Sequence, residues 1–236
     1  MCSAEDGGRV AGNHLLQSLP GDARAQLEGR LLTKPVHSGE ILYDIESPLI
    51  NLIFPSSGVI SLQACLQDGR TVEEASVGPE GVLGIEYFLG ERIASYRAVV
   101  TIAGEASWLA MSDFDALFGK YPVINDLIQA GVRRTINRLR NRIICASVHS
   151  ASQRMATWLL RAQDRTGINQ FELTQRTLAG LFGLRLATIS DASSRLSASG
   201  AIDQTRGMLT IVERSQLERL ACECYERLRD GLAPAA

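Results

Sequence analysis

The spacing of hydrophobic positions changes character several times along the chain. Over residues 13–32, Leu15, Leu16 and Leu19 and then Leu27, Leu31 and Leu32 step as on helices, with Pro20-Gly21 between them, so a pair of small helices is expected. From Lys34 to about Met111 the apolar residues fall instead in short runs of Ile, Val and Leu. Ser38-Gly39, Ser47-Pro48, Pro55-Ser56-Ser57-Gly58, Asp68-Gly69 and Gly78-Pro79 punctuate them. Short strands with Gly and Pro at the corners predict an antiparallel β-roll or barrel. Its clearest hairpin turn is Gln67-Asp68-Gly69-Arg70.

Helical spacing returns at Asp113, first in a short segment with Phe114, Leu117 and Phe118 and then, after Tyr121-Pro122, in a long helix to about Val148. Ile124, Leu127, Ile128, Val132, Ile136, Leu139 and Ile143 step by three and four, as a coiled-coil seam does. At ~1.5 Å per residue the helix is about 40 Å long, more than one small domain covers. A second copy is therefore expected to bury the seam. Arg133, Arg134, Arg138, Arg140 and Arg142 lie mainly off it, as a solvated face or, alternatively, as contacts to phosphate.

A further amphipathic helix runs from Ser150 to Asp164 and stops at Gly167. Residues 173–202 then read as two short helices joined by a turn at Gly183. Leu178, Phe182, Ile189, Ala192 and Leu196 form the common inner face, Ala179 allows a close crossing, and Thr174 is placed to cap the first helix. This is the pattern of a helix-turn-helix, although an ordinary helix pair packed in a core has the same inner face. Strand-like Ala201-Ile202 and Met208–Val212 around Gln204-Thr205-Arg206-Gly207 add a wing. A last helix is expected from Ser215 to Leu228, followed by an Ala/Pro tail.

Composition narrows the class. With 45% hydrophobic and 21% charged residues in 236, the chain has the make-up of a globular protein of one large or two ordinary domains. The lack of a long apolar run or a signal-like start leads to the expectation of a cytoplasmic protein without membrane contact. The net charge of −2 hides an asymmetry: residues 1–149 carry −4 and residues 150–236 carry +2. The mildly basic back half agrees with nucleic-acid binding there. Cysteines 2, 65, 145, 222 and 224 form no CxxC pair, and histidines 14, 37 and 149 are far apart, so free thiols and no metal site are expected. The Gly-rich stretch Gly78-Pro79-Glu80-Gly81-Val82-Leu83-Gly84 has two readings: a cradle of backbone N–H groups for a phosphate, or the turns of a tight roll.

In this order the chain resembles the Crp/Fnr superfamily of bacterial transcription regulators over nearly its whole length. The roll, the long helix, the segment LTQRTLAGLFGLRLATIS with GMLTIV as wing, and the tail ERSQLERLACECYERL carry the likeness. The resemblance implies an α+β fold with a cyclic-nucleotide-binding-domain-like roll over 13–120, a dimerisation helix over 121–148 and a winged helix-turn-helix over 150–236. It implies a homodimer on double-stranded DNA, with RNA polymerase as a further partner if the protein activates, and no enzyme activity. Members that bind cyclic nucleotide carry Gly-Glu-x-Gly and an arginine before a small hydroxyl residue. Here Gly81-Val82-Leu83-Gly84 and Ala94-Ser95 stand instead. No cofactor is therefore expected, and Gly81, Gly84, Ser95 and Arg97 mark the candidate effector pocket, with Arg92 a further substitute cation. Cys2 alone cannot supply the N-terminal cluster of oxygen-sensing members.

On the second helix of the motif, Leu186, Ala187, Ser190, Asp191 and Ser194 face outward, with Arg185 at the start and Thr188 and Arg195 beside them. Arg185 is suited to bidentate guanine contact. Thr174, Gln175 and Arg206 are placed for phosphates. The alternatives are a regulator that acts constitutively or through a protein partner, and a cupin-like β-roll enzyme. The enzyme would need a cluster of His and carboxylate ligands on the strands between Lys34 and Met111, which hold only His37.

Overall fold

The computed structural model describes residues 12–229; Cys2 and the Ala/Pro tail lie outside that range. Two small helices, α1 (His14–Gln17) and α2 (Gly21–Glu28), open it, broken at Pro20 as the pattern predicts. Asn13 caps α1 with its side-chain oxygen, and its amide donates to the carbonyls of Pro55 and Gly81. That capping residue thus ties the first helix to two turns of the roll.

The roll holds β1 (Leu32–Val36), β2 (Ile41–Tyr43), β3 (Asn51–Pro55), β4 (Val59–Cys65), β5 (Thr71–Val77), β6 (Arg97–Ile102) and β7 (Gly104–Ala110). They form two antiparallel sheets, ordered β1-β7-β3 and β2-β6-β4-β5. The expected hairpin joins β4 to β5, with Gly69 at φ +80° in its turn. A short 3-10 helix over Ile85–Leu89 follows the Gly-rich stretch. One apolar core, with Ile53, Ile60, Val100 and Ala106, lies between the sheets. A second, with Leu52, Phe54, Leu109 and Phe114, joins the roll to the helices that flank it.

After α3 (Met111–Phe118) comes α4 (Pro122–Val148), with Pro122 in its first turn, where a missing N–H is harmless. Gly131 lies against Ile85: a Cβ there would collide with the Ile85 Cδ1 atom. Next, α5 (Ala151–Thr166) begins with a reciprocal cap between Ser150 and Gln153 and ends at Gly167, φ +69°.

The C-terminal domain continues with β8 (Gln170–Glu172), α6 (Gln175–Phe182), α7 (Leu186–Ala198), β9 (Ile202–Thr205) and β10 (Met208–Ile211). The wing strands pair as expected, and β8 adds a third strand beside β10. The last helix departs from expectation. It is two helices, α8 (Arg214–Leu220), capped by Glu213, and α9 (Cys224–Arg229). The break falls at Ala221, because the Cys222 N–H donates to the Thr157 hydroxyl at 3.1 Å instead of continuing the helix. Among the described residues, no helix is long and apolar enough to cross a membrane.

Candidate nucleic-acid interface

The helix-turn-helix is built from its caps inward. The Thr174 hydroxyl accepts from the Thr177 N–H at 3.0 Å to start α6, and Gly183 ends it in the left-handed region at φ +63°. Ile189, Ala192 and Leu196 are buried with Leu178 and Phe182 in the domain core, so α7 has one committed face. Its other face is open. Arg185, Thr188, Asp191, Ser194 and Arg195 are exposed, Ser190 is partly so, and Ser193 is buried against Met155. Thr174 is exposed and Gln175 partly exposed, and Arg206 stands at the wing tip with φ +51°. Every residue expected to meet DNA is thus accessible. Arg176, which the sequence reading passed over, is exposed in the first turn of α6 and adds a cation beside Thr174 and Gln175.

The long helix carries two stripes, and the seam read from the sequence mixes them. Ile124, Leu127 and Ile128 are at most 4% exposed and pack in the core of their own protomer, so they are corrected from interface to core. Val132 is half-buried at the edge of that core. Of the expected seam, Ile136 (49% exposed), Leu139 (39%) and Ile143 (66%) are the residues that the protomer leaves open.

The arginines of α4 divide in the same way. Arg133 and Arg140 are exposed, but Arg134, Arg138 and Arg142 turn toward the roll, which overturns the solvated-face reading for these three. Arg134 donates to the Glu80 carbonyl at 3.1 Å, and Arg138 to the Glu80 carboxylate at 3.0 Å. Arg142 donates to the Glu73 carbonyl at 3.0 Å and to the Leu181 carbonyl, at the end of α6, at 2.6 Å. From α5, Arg165 reaches the same Glu80 oxygen at 2.6 Å, and Arg154 donates to the Phe182 carbonyl at 3.0 Å. Two arginines thereby satisfy the last carbonyls of α6, where a helix dipole favours positive charge.

Glu80 is the hub of this network. Burial by itself would raise its pKa, but the charges of Arg165, Arg138 and Arg161 outweigh that and hold the carboxyl far below the usual range. Burial also lowers the guanidinium of Arg161, to about 9, and the neighbouring charge of Arg165 acts in the same direction. It remains charged at neutral pH. In the roll, burial raises the Glu86 carboxyl, whose oxygen accepts from the Tyr96 hydroxyl at 3.0 Å.

The four residues expected to form an effector pocket have different neighbours. Gly81 lies under the Arg138 guanidinium, where a Cβ would come within 2.7 Å of Nη1. Gly84 takes φ +82° against the Asn51 carbonyl, and Ser95 is exposed. Arg97 is bonded to Asp44 at 2.7 and 3.2 Å. Val82 and Ala94, at the positions where cyclic-nucleotide ligands would be expected, are buried core residues. For the Gly-rich stretch, the structure favours the reading of turns in a tight roll.

A cluster that the sequence reading missed lies at the base of α4. Cys145, His149, Cys222 and Cys224 converge so that their sulfur and nitrogen atoms all lie within 4.8 Å of one another. Cys145 and His149 are four apart on one helix face, a spacing visible in the sequence. Cys222 and Cys224, two apart, would point to opposite sides of a continuous helix. The break at Ala221 is what turns both inward.

Residues 153–220 match the model of a Crp-like helix-turn-helix domain. The chain is 23% identical to the nitrogen fixation regulation protein FixK of Bradyrhizobium diazoefficiens over 209 residues, covering 85% of this chain and 87% of that protein. It is 25% identical to electron transport regulator A of Shewanella oneidensis, covering 80% and 78%. The structure of FixK2 from Bradyrhizobium japonicum superposes with a TM-score of 0.68 at 20% identity, covering 81% of this chain and 98% of that one. Both curated relatives bear the names of regulators. With an exposed α7 and a wing, residues 153–220 form a Crp-like helix-turn-helix domain.

Proposed function

We propose that the protein works as a homodimer in which each α7 enters the major groove of a two-fold symmetric DNA site. The observation that carries this is the divided surface of α7: a fully buried apolar face opposite an open one with Arg185, Thr188, Asp191, Ser194 and Arg195. The exposed stripe Ile136, Leu139 and Ile143 supports pairing of two α4 helices. Such a dimer would set its recognition helices about 34 Å apart, one turn of the duplex. Arg185 is the main base reader, while Thr174, Gln175 and Arg206 position the domain on phosphates. If the protein activates transcription, the dimer also meets RNA polymerase.

The test is duplex binding at several salt concentrations. Log affinity is expected to fall linearly with log salt, with a slope set by the phosphates neutralised. Arg185→Ala should lose about 1–3 kcal/mol of discrimination between specific and random DNA, with less change on random DNA. Equal loss on both would remove Arg185 from base reading.

The roll is proposed to act without cyclic nucleotide. The burial of Val82 and Ala94 and the pairing of Arg97 with Asp44 support this. Calorimetry with cyclic nucleotides is expected to show no binding, and saturable micromolar binding would reverse the reading.

A further inference from the structure

The thiols and imidazole at the base of α4 have the geometry of a ligand set. Cys145 Sγ and Cys222 Sγ are 3.6 Å apart, and Cys224 Sγ and His149 Nδ1 are 3.7 Å apart. A tetrahedral zinc ion, with Zn–S about 2.3 Å and Zn–N about 2.0–2.1 Å, places neighbouring ligands about 3.8 Å (S···S) and 3.6 Å (S···N) apart. The match is to a single ion; an iron–sulfur cluster spreads its thiolates around several metal atoms.

A second observation concerns the imidazole. His149 Nε2 lies 3.0 Å from the Glu223 carboxylate, so Nδ1 is the nitrogen that faces the sulfurs. A carboxylate on the far nitrogen of a ligating histidine fixes its tautomer and raises its basicity, and is the usual outer partner of a zinc-bound imidazole. The His149 side chain is 7% exposed, and Cys222 and Cys224 are buried. Three thiolates with a divalent ion leave one negative charge. Arg142 and Arg154 line the cavity that Cys145 and Cys224 adjoin, and supply the compensating sign.

We propose that Cys145, His149, Cys222 and Cys224 bind one zinc ion, which staples the segment between α8 and α9 to the end of α4. Neither pair is a site alone. Cys145 and His149 come from one turn of helix, Cys222 and Cys224 from the break 77 residues later in the chain. The ion would cross-link the junction at which the long helix hands over to the DNA-binding domain.

The test uses the full chain purified under reducing conditions, with zinc measured per protomer. One equivalent is expected, and Cys222→Ser or Cys224→Ser should lose it while Cys65→Ser, on the exposed end of β4, keeps it. Replacement by cobalt(II) should give the visible spectrum of a tetrahedral, thiolate-rich site. Glu223→Gln should weaken zinc binding about tenfold while leaving the stoichiometry at saturation unchanged. Should the cysteine variants fail to fold, alkylation of the unaltered protein decides: Cys145, Cys222 and Cys224 should react only after chelation, Cys65 equally in both states. Absence of zinc together with no cobalt uptake, iron with acid-labile sulfide, or a Cys145–Cys222 disulfide persisting in the reduced preparation would each overturn the proposal.

Discussion

The two halves of α4 are held by different physics. Its first half is anchored by apolar contact, with Ile124, Leu127 and Ile128 in a common core with Leu52, Phe54 and Phe114, and with Gly131 pressed against Ile85. Its second half has almost no apolar hold on its own protomer and is tied by charge instead, through Arg134, Arg138 and Arg142 to Glu80, Glu73 and the end of α6. Apolar packing is indifferent to direction and hard to undo in part. Buried ion pairs depend on geometry, and losing one member leaves its partners uncompensated. The first half therefore makes α4 part of the roll, while the second is a joint whose state both the roll and the DNA-binding domain can feel.

The largest effect is expected at that joint. Glu80→Gln removes the carboxylate that pairs with Arg138 and Arg165 and should cost about 3–5 kcal/mol in chemical denaturation. Hydrogen exchange should show the loss concentrated between the roll and α5, and a loss spread evenly over the chain would dissolve the contrast between the halves. Leu127→Ala should cost about 2–5 kcal/mol through the cavity it leaves, with exchange rising in the roll and α3 rather than in the DNA-binding domain.

Acid separates the halves without mutation. The Glu80 carboxyl is lowered from an ordinary 4.5, so its contribution is complete above that pH and is lost as pH falls toward the folded value. Stability of the unaltered protein should thus decline in this acid range more steeply than that of Glu80→Gln; parallel curves would show that Glu80 does not titrate with unfolding. Smallest in its effect on the protomer is Ile143→Glu, on the open stripe. Light scattering should show dimer converting to monomer at micromolar concentration with little change in protomer stability, and an unchanged dimer would move the interface elsewhere.

What could be read from sequence was local. The Pro20 break, the turn at Asp68-Gly69, the cap at Thr174, the left-handed Gly183 and the wing depend on residues within a few positions of one another, and each stands in the structure as expected. The stripe assignment of α4 failed in part because a period of three and four cannot tell whether a residue faces its own core or a second copy. Glu80 escaped notice because its partners lie 58 and 85 residues away, and the turn around it drew attention to its glycines. The cluster at Cys145 was hidden by the break at Ala221. Helical spacing puts Cys222 and Cys224 on opposite sides, and only a tertiary hydrogen bond to Thr157 reverses that.

The contact between Gly131 and Ile85 also bears on how α4 can move against the roll. Sliding α4 along the roll by one turn would bring Leu127 or Thr135 opposite Ile85, and the buried Ile85 side chain would have to repack to admit either. A tilt of α4 about Gly131 would instead be magnified at its far end by the length of helix beyond that contact.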